Sequence, residues 1–180
     1  MAVNNAQVSD TVRELVTLLM KRPITEEIAL RVGTYDTFKN LEIVNGDWTG
    51  FERDTYNSGE ECSWIKSLII MQITDFVMPQ KTGCTYTGAG FVLNGYAQSL
   101  LDVRQPDVAF VKNERLQKTP GYFYGAPDLA VEIVSPSQSR PEFVEKASVY
   151  LKYGCKQVWL VFPKKKHIEV HTADDIPTVY

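Results

Sequence analysis

The segment Pro127-Asp-Leu-Ala-Val-Glu-Ile-Val-Ser135 sets a carboxylate in the middle of an apolar run, and few folds can accommodate one. Alternation along a strand places Leu129, Val131 and Ile133 on one face and Asp128, Ala130, Glu132 and Val134 on the other. Inside such a strand an ionised Glu132 is costly unless it is paired or bound to a cation. Two readings follow: an ion pair with a nearby Arg or Lys, or ligation of a metal.

The rest of the chain reads as helices and further strands. Val12, Leu15, Val16 and Leu19 recur at helical spacing within Val8 to Arg22, with Ser9 as a candidate cap, and a shorter helix is expected from near Thr25. Leu41 to Val44 and Asp47 to Gly50 read as strands around an Asn45-Gly46 hairpin turn. Ile65, Leu68, Ile69, Ile73 and Phe76 form one helical stripe in Glu60 to Val77. Thr85 to Leu93, Val103 to Val111 and Leu129 to Val134 are expected strands. Pro141 to Tyr153 is an expected helix with Pro141 in its first turn and Gly154 past its end. Gln157 to Phe162 and His167 to His171 form a last hairpin across Pro163 to Lys166. The order defines a mixed α/β class, and 180 residues suit a single domain.

Composition removes several alternatives. Hydrophobic residues at 44% and charged residues at 23% are globular usage. The start, MAVNNAQVSD, carries no secretory pattern, and no apolar run approaches the roughly 20 residues of a membrane span. Cys62, Cys84 and Cys155 are odd in number and far apart, as expected of reduced thiols in the cytoplasm. Net charge is −3 and the pI about 5.5, so nucleic-acid activity would need a local basic surface and metal ions.

A second carboxylate opens the segment Arg104-Gln-Pro-Asp-Val-Ala-Phe-Val111. Asp107 alone reads as a strand-start aspartate. If this strand pairs antiparallel with the Glu132 strand, the two carboxylates converge at one end of the sheet, a donor set for Mg²⁺ or Mn²⁺. Lys146 reads as a helix-surface partner of Glu142. Glu61 closes an S-x-x-E capping box with Ser58 and also lies on the inward stripe. His167 and His171 read as a solvated edge, and Trp48, Trp64 and Trp159 as core.

Taken together, Leu41-Glu-Ile-Val-Asn-Gly-Asp-Trp48, Pro106-Asp-Val-Ala-Phe-Val111, Pro127 to Ser137, Glu145-Lys-Ala-Ser-Val-Tyr-Leu-Lys-Tyr-Gly154 and Val158-Trp-Leu-Val161 resemble a known family. The chain is similar, over roughly Phe38 to Thr172, to the Uma-type restriction endonucleases, a bacterial branch of the PD-(D/E)XK superfamily. The resemblance implies a restriction-endonuclease-like core over 38–172, a mixed central sheet flanked by helices, behind an N-terminal helical extension at 1–37. It implies metal-dependent hydrolysis of DNA phosphodiesters, with Asp107 and Glu132 as Mg²⁺ or Mn²⁺ ligands. Lys146 matches the lysine on the following helix, and Glu61 the acidic residue on the first core helix. A homodimer in the cytoplasm is expected, and relatives usually continue for a short stretch beyond Tyr180. Two positions depart from the pattern: Val134 stands where the superfamily carries its E-x-K lysine, and Glu61-Cys62-Ser63 where relatives show histidine beside glycine. The alternative is a non-catalytic member that binds nucleic acid or protein.

Overall fold

The computed structural model describes residues 10–35, 41–50, 60–116, 121–135, 139–173 and 176–180. The helices are α1 (Asp10–Met20), α2 (Glu26–Gly33), α3 (Glu60–Gln80) and α4 (Arg140–Lys152). The strands are β1 (Glu42–Val44), β2 (Asp47–Thr49), β3 (Gly83–Tyr86), β4 (Phe91–Tyr96), β5 (Ser99–Arg104), β6 (Val108–Lys112), β7 (Phe123–Tyr124), β8 (Leu129–Ile133), β9 (Gln157–Phe162), β10 (His167–His171) and β11 (Thr178–Val179). The Ser9 cap and the Ser58 half of the capping box lie outside the described residues.

Local chemistry sets the element ends. The Thr25 hydroxyl accepts from the Ile28 amide at 3.2 Å and starts α2. Asn45 and Gly46 both have positive φ, 51° and 79°, as the tight turn between β1 and β2 requires. Glu142 reaches back to accept from the Ser139 amide at 3.4 Å and closes the first turn of α4. That role takes Glu142 away from Lys146, which turns inward and is buried.

Two mixed sheets result, in the orders β2-β1-β5-β4-β7 and β11-β10-β9-β8-β6-β3. The expected strands Thr85 to Leu93 and Val103 to Val111 are each broken, and their halves lie in different sheets. Around Gly88 and Gly90 the chain bends between β3 and β4. At Pro106, which has no amide to give a ladder, it leaves the first sheet after β5 and enters the second as β6. The second sheet holds the strand of the opening segment at its centre. There β8 pairs antiparallel with β6, Val108 opposite Val131, and parallel with β9, Glu132 opposite Leu160. A parallel neighbour needs a crossover, and α4 supplies it.

The alternation along β8 sorts the core. Ala130 and Val134 pack with Phe143, Ala147 and Tyr150 of α4, while Val131 and Ile133 pack with Ile65, Ile69, Ile70 and Ile73 of α3. The expected inward stripe of α3 is corrected in part: Leu68 is 37% and Phe76 69% exposed. Trp64, expected in the core, is 64% exposed. Apolar residues run around this whole helix, so period alone does not select its buried face.

Candidate active site

Continuing the β6–β8 register by one residue sets Asp107 opposite Glu132 on the face that α4 covers. The Asp107 Oδ2 accepts from the Ile133 amide at 2.8 Å, and Lys66 of α3 pairs with its Oδ1 at 2.6 Å. Glu132 is almost fully buried. Its Oε1 lies 2.8 Å from the Lys146 Nζ and accepts from the Tyr150 hydroxyl at 3.0 Å. The structure thus makes the ion-pair reading of Glu132 concrete, and it seats a lysine on Asp107 as well, each lysine from a different helix.

A third carboxylate, not singled out in the sequence, completes the group. Glu42 of β1 is buried, and its Oε1 lies 2.8 Å from the same Lys146 Nζ. It also accepts from the Gln105 amide at 2.8 Å, and Arg104 approaches it at 3.6 Å. Lys146 therefore ties the two sheets together through one ammonium. A lone carboxylate between the buried Leu41 and Ile43 was the available signal, the same one that exposed Glu132.

The electrostatics follow from this crowding. Burial pushes the Glu132 carboxyl up to about 7; Lys146 opposes that shift, while Asp107 and Glu42 reinforce it. Tyr150, wholly buried beside the same carboxylates, is held well above its usual range and stays a hydroxyl donor. Further along the same face, Glu169 of β10 sits two strands from Glu132, with Leu160 between them. Arg140 grips it through two contacts of 2.8 Å and lowers its carboxyl. His171 is buried 3.2 Å from Glu169 rather than at a solvated edge, because β11 covers the outer side of β10.

Glu61 lies on the first turn of α3, and its side chain falls outside the described residues. Among the described residues no three His, Cys, Asp or Glu side chains converge to hold a metal. The donors present are hard oxygens on facing strands, one of them a buried carboxyl whose ionisation is opposed by burial and by Asp107 and Glu42 and favoured by Lys146. A divalent cation fits such a pair when water and phosphate complete its shell.

A mixed α/β fold with buried carboxylates at a strand end and a lysine carried by the next helix is a restriction-endonuclease-like arrangement. The solved structure of "a putative nuclease belonging to DUF820" from Anabaena variabilis ATCC 29413 superposes with a TM-score of 0.67 over 88% of this chain and 84% of that one, at 21% identity. No curated protein sequence matches the chain. The family model Uma2, "Putative restriction endonuclease", matches residues 54–178, well over half the length, and the chain belongs to that family. Asp107, Glu132, Lys146 and Glu61 lie inside the matched stretch, and Glu42 lies outside it.

Proposed function

We propose that this chain is a divalent-metal-dependent nuclease that hydrolyses phosphodiester bonds of DNA. The observation that supports it most is the placement of the Lys146 Nζ 2.8 Å from Glu132, on the face where Asp107 stands opposite. Asp107 and Glu132 would hold Mg²⁺ or Mn²⁺, which supplies an activated water and charge neutralisation at the scissile phosphate. Lys146 provides an ammonium where negative charge develops, and its Nζ can hold or give a proton. Glu132 and Glu42 hold that nitrogen at 2.8 Å each, and Tyr150 steadies Glu132 by donating to it. Asp107 is partly open, with a side chain 28% exposed, and is the side from which phosphate can reach the pair. Among the described residues no helix is long and apolar enough to cross a membrane, and Cys62, Cys84 and Cys155 are free thiols, which fits work in the cytoplasm.

A second reading, a binding member without catalysis, draws on Val134 at the E-x-K position, on Lys66 already seated on Asp107 and on the net charge of −3. One experiment separates the two. Single-stranded, double-stranded and branched DNA are incubated at low salt with Mg²⁺, Mn²⁺ or chelator, since acidic chains bind DNA weakly at higher salt. Metal-dependent cutting is expected, abolished in Asp107→Ala and slowed about 10²–10⁴-fold in Lys146→Ala. Titration calorimetry with Mn²⁺ alone should show binding to the wild type and not to Glu132→Gln. No cutting of any substrate, with no Mn²⁺ binding, would support the binding member.

A further inference from the structure

A hollow apart from the carboxylates lies where the chain crosses between the two sheets. It holds about 310 Å³, and among the described residues its walls include Gly33, Trp48, Gly88, Gly90, Gln105 and Tyr122. Gly88 and Gly90 belong to the bend from β3 to β4, and Gln105 to the crossing from β5 to β6. The described lining carries no charged side chain, so the hollow suits a neutral ligand rather than a phosphate. Trp48 and Tyr122 give it aromatic walls from distant parts of the chain. Tyr122 is held from two sides. Its amide donates to the Glu26 Oε1 at 3.3 Å, and its ring abuts Gly90, where a Cβ would stand 2.2 Å from Cδ1. Burial, reinforced by Glu26, pushes its hydroxyl up to about 12, so it stays neutral. Gln105 adds a carboxamide. Its backbone amide donates to Glu42 at 2.8 Å, whereas its side chain has no hydrogen-bond partner among the described residues.

We infer that this hollow receives one unstacked nucleobase of the bound DNA strand, adenine by preference. The strand is taken from the nuclease reading above, while the base site stands on the lining itself. Its volume falls at the low end of small-ligand sites, about 300–1,000 Å³, which is room for a single heterocycle. Aromatic side chains stack on any base. A glutamine carboxamide adds selection, because it donates to N7 and accepts from N6 of adenine at once. Position joins the hollow to the candidate active site. Gln105 precedes Asp107 by two residues, a span of at most about 7 Å, and Leu41, also in the lining, adjoins Glu42. A phosphate at Asp107 therefore leaves a base of the same strand within reach of Gln105. A base inside a duplex must be unpaired and unstacked before it can enter, and one in a mismatch, a branch or a single strand enters at the least cost. The mouth has room for it, since a Cβ at Gly33 or at Gly88 would meet nothing within 4 Å.

The test uses the full chain in chelator at low salt, with deoxyadenosine and deoxythymidine as probes in saturation-transfer NMR. Deoxyadenosine should bind, and deoxythymidine at least about fivefold more weakly. Gly33→Leu hangs a side chain over the mouth from the last turn of α2, whose helical backbone accepts it. It should weaken deoxyadenosine at least about fivefold, the low end of what one base gains by stacking on an aromatic side chain. Gln105→Leu should keep the stacking and remove the preference for adenine. Circular dichroism confirms the fold of each variant. A single-stranded oligonucleotide of deoxyadenosines should displace the nucleoside. Absence of deoxyadenosine binding, equal binding of deoxythymidine, or unchanged binding in Gly33→Leu would overturn the inference. So would a nucleoside that the oligonucleotide cannot displace, which points to a free nucleotide instead. Neither metal nor cleavage enters these measurements. A chain that cuts DNA without binding the nucleoside thus loses the base site alone, and one that binds the nucleoside but cuts nothing keeps the base site and loses the nuclease reading.

Discussion

The two faces of the six-stranded sheet solve opposite problems. Under α4 the contacts are close and charged: Ala147 and Tyr150 are fully buried, and between them and the strands sit Glu132, Glu42 and Lys146 with their charges shared. Under α3 the contacts are apolar and loose. Its isoleucines are only partly buried, and Trp64, Met71 and Phe76 stand out in water. Each helix also delivers one lysine, Lys146 to Glu132 and Glu42 and Lys66 to Asp107. Lys146 is 8% exposed on Glu132, whereas Lys66 is 37% exposed on Asp107. The same chemistry is thus built once where water is excluded and once where water reaches, and dielectric decides what each pair is worth.

That contrast can be broken by removing the buried cation. Lys146→Ala leaves two buried carboxylates facing each other, and unpairing a buried ion typically costs about 3–5 kcal/mol. Denaturant unfolding at neutral pH should show the loss, and it should shrink in acid as the carboxyls take up protons. A variant as stable as the wild type would mean that water reaches the α4 face after all.

Next in size is a pH effect centred on Glu132. Its folded pKa is raised to about 7 by burial, above the ordinary value of 4.5. The folded state therefore binds this proton more tightly than the unfolded chain does. The associated stability is present below pH 4.5 and is lost as the pH rises toward 7. A tenfold difference in proton affinity corresponds to about 1.4 kcal/mol, so the loss across this window amounts to a few kcal/mol. Thermal melts in chelator from pH 4.5 to 8 should show it in the wild type and a flatter profile in Glu132→Gln. The smallest effect belongs to the open face: Lys66→Ala should cost at most about 1 kcal/mol, the range of exposed ion pairs. A loss as large as that of Lys146→Ala would erase the distinction between the faces.

Much of this was legible before any coordinates. The apolar run around Glu132 specified a strand, and Asn45-Gly46 specified the hairpin of β1 and β2, because each has one cheap solution. Asp107 and Glu132 meet through the antiparallel pairing that the sequence left conditional. What stayed hidden depends on distance. Glu42 shares its cation with residues far along the chain, and nothing local marks that cation. The division into two sheets at Gly88–Gly90 and Pro106 was masked by β-rich residues on both sides of each break. The free face of α3 was read as core, since pattern records that a residue is apolar and not whether something covers it.

The meeting of Glu42, Glu132 and Lys146 at one nitrogen has a bearing on when the molecule matures. β1 comes early in the chain and α4 near its end, so their contact closes one of the longest loops in the protein, and long loops close late. Until both sheets have formed and α4 has docked between them, the lysine has nothing to neutralise and the acids have no cation. A nascent or half-folded chain accordingly holds these three charges apart. The cluster exists only once β1, β8 and α4 stand in place together, so it reports on the completeness of the fold.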